Sequence, residues 1–152
     1  MLRSLLALLG ILLASACTTQ VDPPAPTPAF CASDPRVQAF HLGLQSACVG
    51  GQCRVRIVEA TPSPVVQGLN DWTLVVEDPS GKPLDGATLS IKATMPDHGH
   101  GSPTITQIAP LGSGRYRVTG INLAMRGVWL VPIVVTGTVN DQASFTFCVD
   151  GT

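Results

Sequence analysis

The densest run of candidate ligand side chains is Met95-Pro96-Asp97-His98-Gly99-His100-Gly101. Two of the chain's three His and one of its three Met lie in it. His98 and His100 are two positions apart, so in extended backbone both imidazoles leave the same face. Gly99 and Gly101 allow the chain to wrap closely. Imidazole with thioether is a soft donor set that suits copper, above all Cu(I), better than hard cations. Two imidazoles alone make a weak site, and Met125 is the one other Met once Met1 is set aside. The expected centre is therefore Met95, His98, His100 and Met125, meeting at one end of the fold and holding a copper ion. Both rings must be neutral to bind, so affinity is expected to fall below about pH 6. The plainer reading of the same residues is a Gly-rich loop tip with solvated His, and a Met125 that packs in the core.

The cysteines offer a second chemistry. There are five, Cys17, Cys31, Cys48, Cys53 and Cys148, and they follow a segment that reads as an export signal, which implies an oxidising compartment. If Cys17 is lipidated, the remaining four fit two disulfides. Cys48 and Cys53 lack the close spacing of a zinc knuckle, and no His follows at ligand distance, so structural bridges are favoured over metal or thiol chemistry. On the last strand Cys148 alternates with Phe145 and Phe147 and shares the outer face of Ser144 and Thr146. Something must cover it, and the N-terminal segment is available. The favoured pairing is Cys31–Cys148 with Cys48–Cys53. Cys48–Cys148 with Cys31–Cys53 serves nearly as well.

Other chemistries have little support. Nine Lys and Arg against ten Asp and Glu give a formal charge of −1, so there is no basic excess to neutralise phosphates, and no nucleic-acid partner is expected. Ser102 follows Asp97 and His98, but adjacency in sequence is not triad geometry. G-x-S-x-G, a phosphate loop and H-E-x-x-H are all missing from the sequence, and carboxylates are scattered. An enzyme is not expected.

The chain opens with Met1-Leu2-Arg3, the apolar run Ser4 to Leu13, and the small residues Ala14-Ser15-Ala16. This is the order of a signal peptide, and the apolar run is short for a permanent span. The junction with Cys17 resembles a bacterial lipobox, with Ala14 where Leu is usual. That resemblance implies cleavage before Cys17 and lipidation of its thiol; Ala-x-Ala also suits ordinary signal peptidase. Thr18 to Ala29 carries four Pro and reads as an extended tether. The expected partner is thus the membrane, through the lipid, in the bacterial cell envelope. Thr18 stands where an Asp would retain an inner-membrane lipoprotein, which favours the outer membrane, facing the periplasm.

The elements that must position the candidate ligands follow from periodicity. Asp34-Pro35 suits a helix start, and Val37, Phe40, Leu44 and Ala47 recur at helical spacing, so one short helix is expected before Gly50-Gly51. His41 would lie on its surface. From Cys53 the period becomes two: Val55 and Ile57; Trp72, Leu74 and Val76; Leu89, Ile91 and Ala93; Tyr116 and Val118; Trp129, Val131, Ile133 and Val135; Ala143, Phe145, Phe147 and Val149. These sets predict half-buried antiparallel strands. Pro132 removes a ladder donor, which places its strand at an edge or on a bulge. The expected fold is all-β, an immunoglobulin-like antiparallel β-sandwich with one short N-terminal helix, a small barrel being the alternative. The expected organisation is signal peptide over 1–16, lipidated Cys and tether over 17–29, a Cys-containing helical segment over 30–52, and the sandwich over 53–152.

An ordered series of motifs runs from about Asn70 to Gly137: Trp72 to Gly81, Lys82-Pro-Leu-Asp-Gly86-Ala87, Met95 to Gly101, Gly114-Arg-Tyr116, and Met125-Arg-Gly127-Val-Trp129. The stretch resembles the YtkA-like domain, which is related to FixH-like proteins. The family pattern is Met-Pro near His-Gly, Gly-x-Tyr at a strand start, then Met-x-Gly-x-Trp. This resemblance implies a secreted β-sandwich linked to copper or heavy-metal handling. Asp97-His98-Gly99-His100 departs from the pattern, where a Met-containing turn is usual, and the segment from Cys31 to Cys53 has no counterpart. Two functions are expected from different classes: an envelope lipoprotein that binds copper or another soft metal, or an immunoglobulin-like module that binds an envelope protein partner.

Overall fold

The computed structural model describes residues 30–150; the expected signal peptide, Cys17 and the expected tether lie outside the described residues. No helix among the described residues is long and apolar enough to cross a membrane. Ten strands follow one another among the described residues: β1 (Gln45–Ala47), β2 (Arg54–Thr61), β3 (Gly68–Glu77), β4 (Thr88–Ile91), β5 (Thr94–Met95), β6 (His100–Gly101), β7 (Gln107–Gly112), β8 (Arg115–Leu123), β9 (Gly127–Thr136) and β10 (Asp141–Val149). One five-stranded sheet runs β1-β2-β3-β8-β7. The other runs β10-β9-β5-β6, with β4 also paired to β9. All pairs are antiparallel, and the sheets form a sandwich-like arrangement.

Between the sheets lies one core built from the alternating sets. Trp72, Leu89, Ile91, Tyr116, Trp129, Ile133 and Phe147 are all buried in it. An aromatic group sits at its centre, with Trp72 edge-on to Phe145 and Phe147 at centroid distances of 6.4 and 5.8 Å. Trp72 Nε1 is buried without a hydrogen-bond partner, but other buried polar groups on the sheets find theirs. The Tyr116 hydroxyl donates to the Leu84 carbonyl (2.7 Å) and accepts from the Ala87 amide (3.0 Å). Asn70 bonds the backbone of Val66 and Gly68 where β3 begins.

The expected helix over 34–50 does not form. Val37 N–H bonds Asp34 C=O in a turn, and the chain then runs extended into β1. Its backbone groups find partners elsewhere. Gln38 N–H donates to Thr146 C=O (2.9 Å), and the Gln38 side-chain oxygen accepts from Thr146 N–H (3.0 Å), so this strap lines the edge of β10. Further on, Gly43 N–H donates to Ile57 C=O, and Ile57 N–H donates to Leu44 C=O. Phe40 and Leu44 still face the core, but from an extended strap. Pairing across both sheet edges outweighed a local periodicity that fitted a helix equally well.

Pro132 also departs from expectation, because β9 is an interior strand. Opposite β10 it faces Ser144. On its other flank β4 pairs only as far as Ile133 and β5 begins at Leu130. The missing N–H thus falls at the gap between two short strands, where the ladder needs no donor.

Two disulfides form among the described residues, Cys31–Cys148 and Cys48–Cys53, the first of the two pairings open from the sequence. The smaller one closes the β1–β2 hairpin, and Asp141 holds its loop: its carboxylate accepts from Gly50, Gln52 and Gln142 N–H at 2.8, 2.9 and 2.8 Å. Those amides hold the carboxyl below the usual carboxylate range. A carboxyl with a depressed folded pKa stabilises above its unfolded pKa, about 3.9, and loses that contribution as pH falls through the folded value. Asp141→Asn should therefore lower the melting temperature at pH 7. Calorimetry at stepwise lower pH should show the gap to wild type closing below about pH 4. A gap that stays constant down to pH 2 would show that the charge on Asp141 is not what matters.

Candidate metal-binding hairpin

Leu89, Ile91, Ala93 and Met95 form one inward series, so the candidate hairpin grows directly out of a core strand. Met95 is its last member and only 1% exposed. Its methyl group lies against Gly127, where a Cβ would come within 2.7 Å of it, and Gly127 has φ +135°. Glycine is what allows the two chains to approach here.

The turn after Met95 is tight. The Met95 carbonyl accepts from His98 N–H (3.2 Å) and Gly99 N–H (3.0 Å), and Gly99 adopts φ +68°. His100 then pairs opposite Met95, and Gly101 opposite Thr94. Directly opposed residues of an antiparallel pair project from one face, so Met95 and His100 are neighbours. Both imidazoles are exposed, and the His98 and His100 ring centroids are 5.7 Å apart.

Met125 lies on the loop between β8 and β9. Trp129 Nε1 donates to its carbonyl at 2.8 Å, which fixes the loop, and its side chain is 44% exposed. The structure thus brings His98 and His100 together beside Met95, with Met125 two residues from the glycine that Met95 touches. It does not show four donors drawn around one point, because Met95 is buried while the two His and Met125 face solvent.

The hairpin tip is braced from outside. Arg36 Nη1 and Nη2 donate to the two Asp97 oxygens at 2.7 and 2.8 Å. Its Nε and Nη2 also fork onto Asp34, at 2.9 Å to one oxygen and 2.6 Å to the other. The guanidinium holds Asp34 down to about 2 and pulls Asp97 below its usual range. A cleft of about 400 Å³ separates strap and hairpin, lined among others by Cys31, Asp34, Asp97, His98 and Gly127. Sequence reasoning missed Arg36 and Asp141. Arg36 and Asp97 are 61 residues apart, and nothing local marks either as a partner.

Among the described residues, the one grouping of three His, Cys, Asp or Glu donor atoms is Cys48, Cys53 and Asp141. Its sulfurs are bonded to each other and its carboxylate to backbone amides, so it serves structure.

No curated protein and no solved structure matches this chain. The family model described as YtkA-like matches residues 52–134. That span holds β2 to β8 entire and most of β9, together with Met95, His98, His100 and Met125; it leaves out the strap and β10. With more than half of its length matched, the chain belongs to the YtkA-like family.

Proposed function

We propose that this protein is a copper-binding lipoprotein of the bacterial cell envelope, with His98 and His100 as the primary ligands. The observation that carries the reading is the separation of the two rings, 5.7 Å between centroids. With metal–nitrogen bonds of about 2.0 Å, two imidazoles sharing one ion hold their centroids roughly 4.5–6.4 Å apart, from a right-angled to a linear arrangement. The pair therefore needs ring rotation and little backbone movement to take an ion. Cu(I) accepts so few ligands, and Met125 offers a thioether on the adjoining loop without any redox-active thiol. Met95 pairs opposite His100 in the ladder, and its burial argues for packing ahead of ligation. Anchoring through Cys17 would keep the hairpin at a membrane surface, with the outer membrane facing the periplasm as the favoured site.

The test is Cu(I) competition against a chromophoric chelator. Wild type should withdraw copper from the chelator, and the His98→Ala/His100→Ala double variant should bind at least about tenfold more weakly. Equal, weak binding by the two proteins would end the metal reading. One observation favours the second function, a module that docks an envelope protein: the outer flank of β4 and the loop Ser102–Thr106 enclose a cleft of about 470 Å³, and Ile105 stands 81% exposed on that loop. Failure to bind copper, with a defined partner lost on Ile105→Asp, would turn the assignment that way.

A further inference from the structure

The His98–His100 hairpin has little of its own to hold it in shape. Its two strands pair through two residues each, and the turn is closed by the Met95 carbonyl alone. Among the described residues, the one side chain that reaches the turn Pro96–Gly99 from outside by hydrogen bonding is Arg36. That side chain is itself held. Arg36 lies between Cys31, bonded to Cys148, and Gln38, paired twice with Thr146, so the strap is fastened to β10 on both sides of it. Asp34 sets the local turn, accepting from Arg36 N–H at 2.9 Å, and grips one edge of the guanidinium while the other edge meets Asp97. A single exposed ion pair does little for a fold. Two forks on one planar cation are different in kind, because they fix direction as well as distance.

We propose that Arg36 is the positioning residue of the metal hairpin: a strap lying outside the family domain sets the geometry of His98 and His100, and through it their affinity for copper. The affinity half rests on the function proposed above; the geometric half does not. Asp97 is adjacent to His98, so a guanidinium fixed on Asp97 fixes the start of the turn that presents the first imidazole. A loop ordered before the ion arrives binds more tightly, since less freedom is lost on binding. The strap and β10 both lie beyond the residues 52–134 that match the family model, whereas Asp97 and both His lie within them. Linkage requires the converse too: bound copper should tighten the hold of the strap on the hairpin.

The experiment uses the full chain with Arg36→Met and Arg36→Lys. Without metal, hydrogen exchange at the His98 and Gly99 amides should be about tenfold faster in Arg36→Met. Amides of β9 and β10 should keep wild-type rates. Cu(I) affinity, measured by chelator competition, should fall about tenfold. Arg36→Lys supplies the charge at a single point and should recover part of both effects. Unchanged exchange at the hairpin overturns the proposal, as does faster exchange spread over the whole sandwich. So does a local change in exchange with copper affinity at the wild-type level. If wild type itself takes up no copper, the metal reading falls, and the clamp stands or falls on the exchange data alone.

Discussion

Truncating Phe147 to Ala should destabilise the domain by about 3–5 kcal/mol, the range for removing a buried aromatic ring. Phe147 is 1% exposed, and three rings surround it: Phe40 edge-on at 5.6 Å, Trp72 edge-on at 5.8 Å and Phe145 stacked at 6.1 Å. It stands opposite Trp129 in the β9–β10 register. Removal opens a cavity among rings drawn from both sheets and the strap, and such close-packed rings relax only partially to fill it. Phe40 belongs to the strap, so the same change loosens strap and sandwich together. Trp129→Ala falls in the same range, with the hydrogen bond to the Met125 carbonyl lost in addition. Equilibrium denaturant unfolding measures both. A loss below about 1 kcal/mol for Phe147→Ala would show that the aromatic group is not the centre of the core.

Replacing Cys31 and Cys148 by Ser should cost far more than replacing Cys48 and Cys53. The first bridge spans 117 residues and the second spans 5. Loop-closure entropy then assigns about 5 kcal/mol to the long bridge and about 2 kcal/mol to the short one, before any relaxation of the folded state. The contrast is reinforced by what each bridge holds. The long one fastens the strap to β10. The hairpin loop closed by the short one keeps its two amide bonds to Asp141, from Gly50 and Gln52, when the sulfurs are gone. Unfolding midpoints of the two double variants decide the matter, and a larger loss from the Cys48/Cys53 pair would mean that the strap contributes little to the folded state.

Strand positions were legible because their faces are written in period two. Leu89-Ser90-Ile91-Lys92-Ala93 reads inward and outward without exception, and the burial of β4 follows it residue by residue. The same property failed at the strap. Val37, Phe40 and Leu44 have helical spacing, and Phe40 and Leu44 do pack on the core. What decides their backbone is Thr146 and Ile57, residues too distant in sequence for any local pattern to register. The candidate site divides in the same way. Its His pair announced itself through composition, and the turn around Gly99 through glycine. Its brace did not, since one exposed Arg among nine basic residues carries no mark of the two carboxylates it will meet. The very short strands β5 and β6 escaped notice for a third reason: two residues each are too few to show a period.

The fastening of residue 31 to residue 148 also decides where mechanical load enters the molecule. Phe30 N–H bonds the Asp150 carboxylate at 2.8 Å, so the first and last described residues meet at one point on the surface. Tension applied to the chain ahead of Phe30 arrives at Cys31 and crosses a covalent bond into β10. From there it is borne by the nine residue pairs that β10 forms with β9. The strap from Ala32 to Ala47 lies in parallel with that route and carries no tension while the bond is intact. A domain pulled by its leading end would thus be hauled by its final strand, and the brace at Arg36 would stay slack until the sandwich itself began to yield.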